Sequence, residues 1–165
     1  MTKPASSITL DQFDRKILEV LQAEGRISNQ ALAERVNLSP SPCLRRVRAL
    51  EAAGYITGYH ANVDHRKLGY GLDIVVLISM STHTPEAFER LEKRVAQLPE
   101  VRECVLITGQ EADYLLRITA VDMDDYQRLL LGHITRIPGV SGVHSSFVLH
   151  SILGDRVIEP APQIE

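Results

Sequence analysis

The sequence predicts an α+β fold in two parts, a helical N-terminal unit followed by a unit of β-α-β-β-α-β order. Apolar residues recur at helical spacing three times before residue 53. An apolar–Pro–x–Val pattern occurs twice, 39 residues apart, each time after an amphipathic segment. Residues 1–68 carry ten Lys/Arg and seven Asp/Glu, whereas residues 69–165 carry eight and fourteen. A basic unit therefore precedes an acidic one.

The composition excludes several classes of protein. With 165 residues, 44% of them apolar and 24% charged, the chain is unlike a disordered or disulfide-rich protein. No apolar stretch approaches a membrane span, and residues 1–7 lack the apolar core of a signal peptide. Two cysteines, Cys43 and Cys104, do not make a disulfide framework, so we expect a reducing cytoplasm. The net charge of −3 argues against a nucleic-acid partner only while the two units are counted together.

The first two helices are marked by their ends. Thr9–Gln12 fits a capping box, and Gly25 is well placed to end the helix that follows. Ser28 is a good N-cap for a second helix. The apolar residues that define the inner faces of these helices are Leu10, Phe13, Ile17, Leu18, Leu21, Ala31, Leu32 and Val36.

A third helix follows the short break at residues 37–39, and either of two serines can cap it. A residue before proline disfavours the α region, which favours Ser41 as the cap with Pro42 at the first helical position. The alternative, Ser39, places two prolines in the first turn.

The inner face and the end of the third helix are also readable. Leu44, Val47 and Leu50 are spaced to face a core, and Gly54 closes the helix. Residues 55–63 are rich in β-forming residues around a central glycine, which predicts a short hairpin, or wing.

Two helices separated by about three residues, the second basic on its outer side, predict a helix-turn-helix in residues 1–62. In that motif the start of the second helix enters the DNA major groove, where hydroxyl and guanidinium groups suit phosphates and base edges. The alternative is that the arginines form only a solvated helix face. The residues predicted to contact DNA are Ser28, Asn29, Ser39, Ser41, Pro42, Arg45, Arg46 and Arg48.

The second unit, residues 71–150, predicts a ferredoxin-like βαββαβ domain because two amphipathic segments each lie between strand-like runs. One face of its sheet is left without helices, and a second copy of the chain is the simplest cover. Residues 63–70 are predicted to be a linker, and residues 151–165 a tail that is loosely ordered or an interaction arm. Apolar residues expected on the open face are Val75, Leu77, Val105, Leu116 and Ile118.

No catalytic residue, metal site or cofactor is predicted. The six histidines are scattered without the spacing of a metal site, and no serine lies in a nucleophile elbow. Cys43 lies near Arg45 and Arg46, which allows redox sensing, although a packing role is favoured.

The run Leu38–Val47, with Gly25–Ser28 before it and Gly54–Ile56 after it, closely resembles the Lrp/AsnC transcriptional regulators. The second unit resembles them at Thr108–Gly109, around Asp113 and at Pro138–Val140. The resemblance covers residues 8–150. It implies a winged helix-turn-helix joined to a ferredoxin-like effector domain, with dimers formed through the sheets and often assembled into discs of four dimers that wrap DNA.

The resemblance also implies an amino acid or related metabolite bound between dimers. Asp113 can take an α-ammonium group, and Gly109 permits close approach of a ligand. A turn-capping carboxylate and a plain tight turn are the alternatives for these two residues. The loop between them has three residues where the family usually has two, which leaves the effector open. The implied effector-binding residues are Leu106, Thr108, Gly109, Asp113, Tyr114, Met123 and Val148.

Two rival functions share this architecture. One is an enzyme similar to the sirohaem decarboxylases, and the other is an amino-acid sensor that does not bind DNA. The intact run Ser39–Arg48 favours a regulator, because an enzyme has no need of it. The sequence therefore predicts a cytoplasmic homo-oligomeric regulator that binds double-stranded DNA and a small effector, without a membrane or a cofactor.

Overall fold

A computed structural model describes residues 9–109 and 111–152. These residues form two compact units, residues 9–62 and 63–152, each with its own hydrophobic core. The N-terminal residues predicted to lack a signal peptide, Gln110 of the long loop and residues 153–165 of the predicted tail lie outside the described residues. Within the described residues, every helix is too short or too polar to cross a membrane.

Three helices make the first unit: α1 (Gln12–Ala23), α2 (Asn29–Arg35) and α3 (Pro40–Ala52). They pack around one small core whose buried members come from every helix and from the turn after α2. Those members are Ile17, Leu32, Ala33, Val36, Cys43, Val47 and Leu50.

The start of α1 differs from the prediction. Asp11, rather than Thr9, is the N-cap, and its Oδ1 accepts hydrogen bonds from the N–H groups of Phe13 and Asp14 at 2.8 and 2.9 Å. Asp14 accepts in return from the N–H of Asp11 at 3.2 Å. The predicted box at Thr9–Gln12 is wrong because two carboxylates make stronger, charge-assisted bonds and also complement the helix dipole.

The turn between α2 and α3 confirms one cap and corrects another. Ser28 caps α2, and its Oγ accepts from the N–H of Ala31 at 3.2 Å. Ser39, rather than Ser41, is the N-cap of α3. The two prolines of that first turn remove no helical hydrogen bond, because the first N–H groups of a helix have no intrahelical acceptor.

The end of α3 is a Schellman motif. Gly54 has a φ of 77°, and its N–H donates to the carbonyl of Glu51, while the N–H of Tyr55 donates to the carbonyl of Leu50. Gly54 therefore closes the helix as predicted. The prediction for Leu44 is wrong, since its side chain is 38% exposed and Cys43 occupies the core position instead.

The predicted hairpin at residues 55–63 is not formed as paired strands. An isolated two-stranded ribbon is marginal in water, and this segment has no third strand or broad apolar face to stabilise it. It follows α3 as extended chain, with Ile56 packed against the core and the Tyr59 hydroxyl donating to Glu51 Oε1 at 2.9 Å.

The second unit contains one antiparallel sheet in the order β2-β3-β1-β4, with both helices on one face. This order confirms the ferredoxin-like prediction. Its elements are β1 (Leu72–Met80), α4 (Pro85–Val95), β2 (Val101–Leu106), β3 (Tyr114–Ala120), α5 (Met123–Gly132), a 3₁₀ turn (Ile134–Arg136) and β4 (Val140–Phe147).

The register decides which residues lie on the open face of the sheet. Leu116 and Ile118, predicted on that face, are fully buried under the helices, so their assignment is wrong. The predicted alternation of faces was one residue out of step at both positions, and a one-residue shift moves a side chain to the opposite face. Val75, Leu77 and Val105 lie on the open face, as the cross-strand pairs through β3 show.

Candidate nucleic-acid interface and effector site

The outer face of α3 presents basic and hydroxyl groups to solvent. Ser39 and Ser41 are exposed at the first turn, and Arg45 and Arg48 are exposed one and two turns further along. Neither arginine has a hydrogen bond or an ion pair within residues 9–109 and 111–152. Two free guanidinium groups on one exposed helix face make a surface suited to phosphate.

Arg46 has a different environment, although it stands between the two exposed arginines. Its Nη1 lies 2.8 Å from Asp14 Oδ1 and 2.8 Å from Asp11 Oδ2, and its guanidinium carbon lies 5.4 Å from the centre of the Phe13 ring. This pairing raises the pKa of Arg46, first through its hydrogen bond to Asp14. Arg46, one of the residues predicted to contact DNA, therefore ties α3 to the start of α1.

Asp11 is the shared carboxylate of that cluster. The N–H of Asp14 lowers the pKa of Asp11 most, against the opposing effect of desolvation, and Arg46 lowers it further. Ion pair and helix cap thus stabilise each other, because the charged form of Asp11 serves both.

The remaining residues predicted to contact DNA lie in or next to the turn between α2 and α3. The hydroxyl of Ser28 caps α2, and Asn29 donates from Nδ2 to the carbonyl of Pro40 at 2.9 Å, which ties α2 to the first turn of α3. The Oδ1 atom of Asn29 is buried without a hydrogen-bond partner in the described chain. Pro42 is half-buried in the first turn of α3.

At the other candidate site, Asp113 is already engaged by its own unit. Its Oδ2 accepts from the N–H of Met80 at 2.6 Å, and its Oδ1 lies 2.7 Å from Nε2 of His83. Its side chain is 19% exposed, against 62% for that of His83. His83 was not predicted as a site residue, since it lies thirty residues away and only the pairing of β1 with β3 brings it close.

The residues implied for the effector divide between two ends of the sheet. Asp113 donates its N–H to Ile78 near the end of β1, whereas Val148 donates to Asp73 near its beginning. Strand β3 separates the two ends by seven residues, roughly 20 Å at ~3.3 Å per residue. The first end holds Leu106, Thr108, Gly109, Asp113 and Tyr114, and the second holds Met123 and Val148.

Tyr114 is closed to a ligand in this unit. It is 1% exposed, its hydroxyl donates to Glu92 Oε1 at 2.8 Å, and its ring meets Phe88 edge-on. Burial, with help from the Glu92 carboxylate, holds the pKa of Tyr114 far above its usual range. Leu106 and Met123 are by contrast 54% and 53% exposed and free to contact another molecule.

The described ranges contain no group of three or more His, Cys, Asp or Glu side chains arranged to hold a metal ion. Cys43 is fully buried, and burial raises the pKa of its thiol, which matches the packing role rather than redox sensing.

Family models of known proteins match both units of the chain. A family model described as a winged helix-turn-helix DNA-binding domain matches residues 10–57. A second, described as the Lrp/AsnC ligand binding domain, matches residues 73–158.

Two curated relatives are named regulators. The Bkd operon transcriptional regulator of Pseudomonas aeruginosa is 42% identical over 87% of this chain and 94% of its own length. The leucine-responsive regulatory protein of Escherichia coli is 42% identical over 87% of each chain.

Among solved structures, a transcriptional regulator from Neisseria meningitidis in complex with L-methionine superposes with a TM-score of 0.86. It is 39% identical and covers 91% of this chain and 96% of its own. With a DNA-binding model on the first unit, an Lrp/AsnC ligand-binding model on the second and regulators matching both together, the chain belongs to the Lrp/AsnC family of transcriptional regulators.

Proposed function

We propose that the protein binds double-stranded DNA through the exposed face of α3 and that an amino acid or related metabolite tunes this binding. The observation that carries the DNA half is that Arg45 and Arg48, one and two turns beyond the start of α3, are exposed and unpaired within the described chain. Ser39 and Ser41 add hydroxyl donors at the helix start.

Arg46, Ser28 and Asn29 hold the reading helix in place rather than contact DNA. The ion pairs of Arg46 join α3 to α1, and the amide of Asn29 joins α3 to α2. A recognition helix needs such supports because small shifts of its axis change the groups that reach a base edge.

The effector half rests on the Neisseria meningitidis relative, which was solved with L-methionine. Asp113 supplies a carboxylate for the α-ammonium group, and Gly109 gives backbone access beside it. Because the implied residues stand at opposite ends of one sheet, a pocket containing all of them draws on two copies of the chain. An effector held there is placed to change the assembly.

The two-copy pocket requires an oligomer, and the open face of the sheet supports a dimer. Val75, Leu77 and Leu115 are partly exposed apolar residues on that face, beside the ion pair of Asp73 with Arg117 at 3.2 Å. An isologous pair of sheets would remove these side chains from water, and dimers would then assemble to tetramers or octamers.

In this proposal the protein is not an enzyme and works in the cytoplasm, where its DNA lies. Ligand and DNA are coupled through the assembly, so each changes the affinity for the other by the same factor.

The proposal is tested by selecting genomic DNA fragments on the full-length protein and by a thermal-shift screen against the twenty amino acids. A specific fragment that is released or retained when a stabilising amino acid is added supports both halves. Failure to enrich any fragment would instead favour a sensor without DNA binding, and a Soret absorbance in the purified protein would favour a haem-precursor enzyme.

A further inference from the structure

A basic groove lies in the second unit, and none of its lining residues is among those predicted for either candidate site. It runs between the C-terminal half of α4 and the turn after α5, with a volume of about 510 Å³. Four cations line it, Arg90, Lys93, Arg94 and Arg136, together with Gln97 and His133.

The charge of this groove runs against that of its unit. Residues 63–152 carry nine Lys/Arg and twelve Asp/Glu, yet four of the nine cations line one groove and none of its lining residues is acidic. Clefts lined by one sign of charge concentrate the field and attract counter-ions. The groove is therefore a positive site on an acidic domain.

Interaction with the dipole at the C-terminal end of α4 does not account for all four cations. Lys93 and Arg94 lie in the last turn of α4, where a cation complements the helix dipole. Arg90 lies a full turn earlier and Arg136 lies on another element, so neither serves that end. Arg90 and Arg94 are also like charges four residues apart, which disfavours the helix unless an anion lies between them.

The pairing of these cations leaves donors free. Lys93 is 2.6 Å from Glu89, and Arg136 donates from Nε to the carbonyl of Leu131 at 3.0 Å, which leaves its terminal nitrogens available. Arg90 and Arg94 have no ion pair or side-chain hydrogen bond within the described ranges. Guanidinium groups with free donors match phosphate oxygens two at a time.

We propose that this groove binds a small metabolite with two or more phosphate groups, as a second ligand site distinct from the amino-acid site. Its volume lies in the range of small-molecule pockets, and its floor includes buried Ile137 and exposed Pro138, which give a non-phosphate part of the ligand an apolar contact.

The test uses inorganic tripolyphosphate titrated calorimetrically into the full-length protein in magnesium-free buffer at about 0.15 M salt. The protein carries Arg45→Ala and Arg48→Ala, so that anion binding to α3 does not contribute. We expect one site per chain, weakened at least about tenfold by Arg90→Gln with Arg94→Gln. Arg102→Gln, which removes one charge from exposed β2, is the matched control for the single variants Arg90→Gln and Arg136→Gln and should change the affinity less than about twofold.

Three outcomes would overturn the proposal: no binding by the Arg45→Ala, Arg48→Ala protein, equal weakening by the Arg102→Gln control, or groove-dependent binding of short duplex DNA without binding of tripolyphosphate. Unfolding midpoints are measured for every variant. Arg90→Gln and Arg136→Gln are also titrated singly, so that a folding defect of the double variant does not decide the result.

Discussion

The face of α3 and the Asp113 end of the sheet were both predicted to bind, but the structure leaves them in different states. On α3, the side chains of Arg45 and Arg48 make no hydrogen bond or ion pair with the rest of the described chain. At the sheet end, both carboxylate oxygens of Asp113 are taken, one by the N–H of Met80 and one by His83. The proposed DNA site is therefore open within one chain, whereas a ligand at the proposed effector site would have to replace an internal contact of Asp113.

This difference suggests how the two sites are coupled. A ligand ammonium that reaches Asp113 competes with His83, and His83 follows the end of β1, the strand at the centre of the sheet beside β3 and β4. An effector bound at Asp113 would therefore act on the framework of the second unit, whereas the proposed DNA binding by α3 uses side chains that make no hydrogen bond or ion pair within the described chain.

The largest effect is expected for Arg45→Ala with Arg48→Ala. Each lost base or phosphate contact costs about 1–3 kcal/mol, so affinity for a selected DNA fragment should fall by at least about 30-fold. The slope of affinity against salt should also become shallower, because fewer counter-ions are released. The measurement is a fluorescence-anisotropy titration over a salt series.

Arg102→Ala, which removes one exposed charge from β2, serves as the control for net charge. The double variant should melt at the wild-type temperature, since neither side chain has an internal partner. Unchanged DNA affinity in that folded variant would show that α3 is not the reading helix.

The next effect is on folding. Arg46→Ala should lower the free energy of unfolding by about 1–3 kcal/mol, because Asp14, whose side chain is only 10% exposed, loses its charge partner. Urea unfolding followed by far-UV circular dichroism measures it. Arg48→Ala, two residues along the same helix, should shift the curve by less than about 0.5 kcal/mol; equal destabilisation by the two would remove the special role of Arg46.

Much of the fold was predictable from the sequence because local signals marked its elements. Ser28 and Gly54 act at the positions assigned to them, as short-range hydrogen bonds require. The strand and helix order of the second unit followed from hydrophobic periodicity. Thr9 was assigned as the cap of α1, and Ser41 was favoured over Ser39 for α3, because two acceptable caps lie within a few residues at each helix start.

The candidate sites were less predictable because they depend on contacts between distant residues. Arg46 meets Asp14 across 32 residues, and Asp113 meets His83 across 30. Neither distance can be read from spacing along one helix or strand. Leu116 was assigned to the wrong face for a related reason, since alternation gives two faces without saying which one the helices cover.

A smaller effect is expected at the sheet end from Asp113→Asn. The amide oxygen can still accept from Met80, so the fold should survive, but the charge that attracts an ammonium is lost. Binding of the amino acid found in the thermal-shift screen should weaken about tenfold while DNA binding without effector is kept. His83→Gln is the matched comparison and should bind the amino acid as well as or better than wild type, because the competing ring is removed. A full response in the Asp113→Asn protein would exclude Asp113 from the pocket.

The smallest effect concerns the pH dependence of the α1 cap. Because the pKa of Asp11 is lowered in the folded state, chiefly by the N–H of Asp14, ionised Asp11 stabilises the fold above its unfolded pKa of about 3.9. That stability is lost as the pH falls through the lower, folded value. Asn also caps helices well, so Asp11→Asn removes the charge and keeps the cap.

Wild type should be more stable than Asp11→Asn at pH 7, by less than about 1 kcal/mol because the Asp11 side chain is 46% exposed. The two urea curves should converge once the pH falls below the lowered pKa of folded Asp11. A difference that persists at low pH would mean that the variant acts through packing or capping geometry. Convergence would show instead that the difference comes from the charge of Asp11, which serves both the α1 cap and the ion pair with Arg46 on α3. The placement of the exposed Arg45 and Arg48 would then depend on a carboxylate that they do not contact.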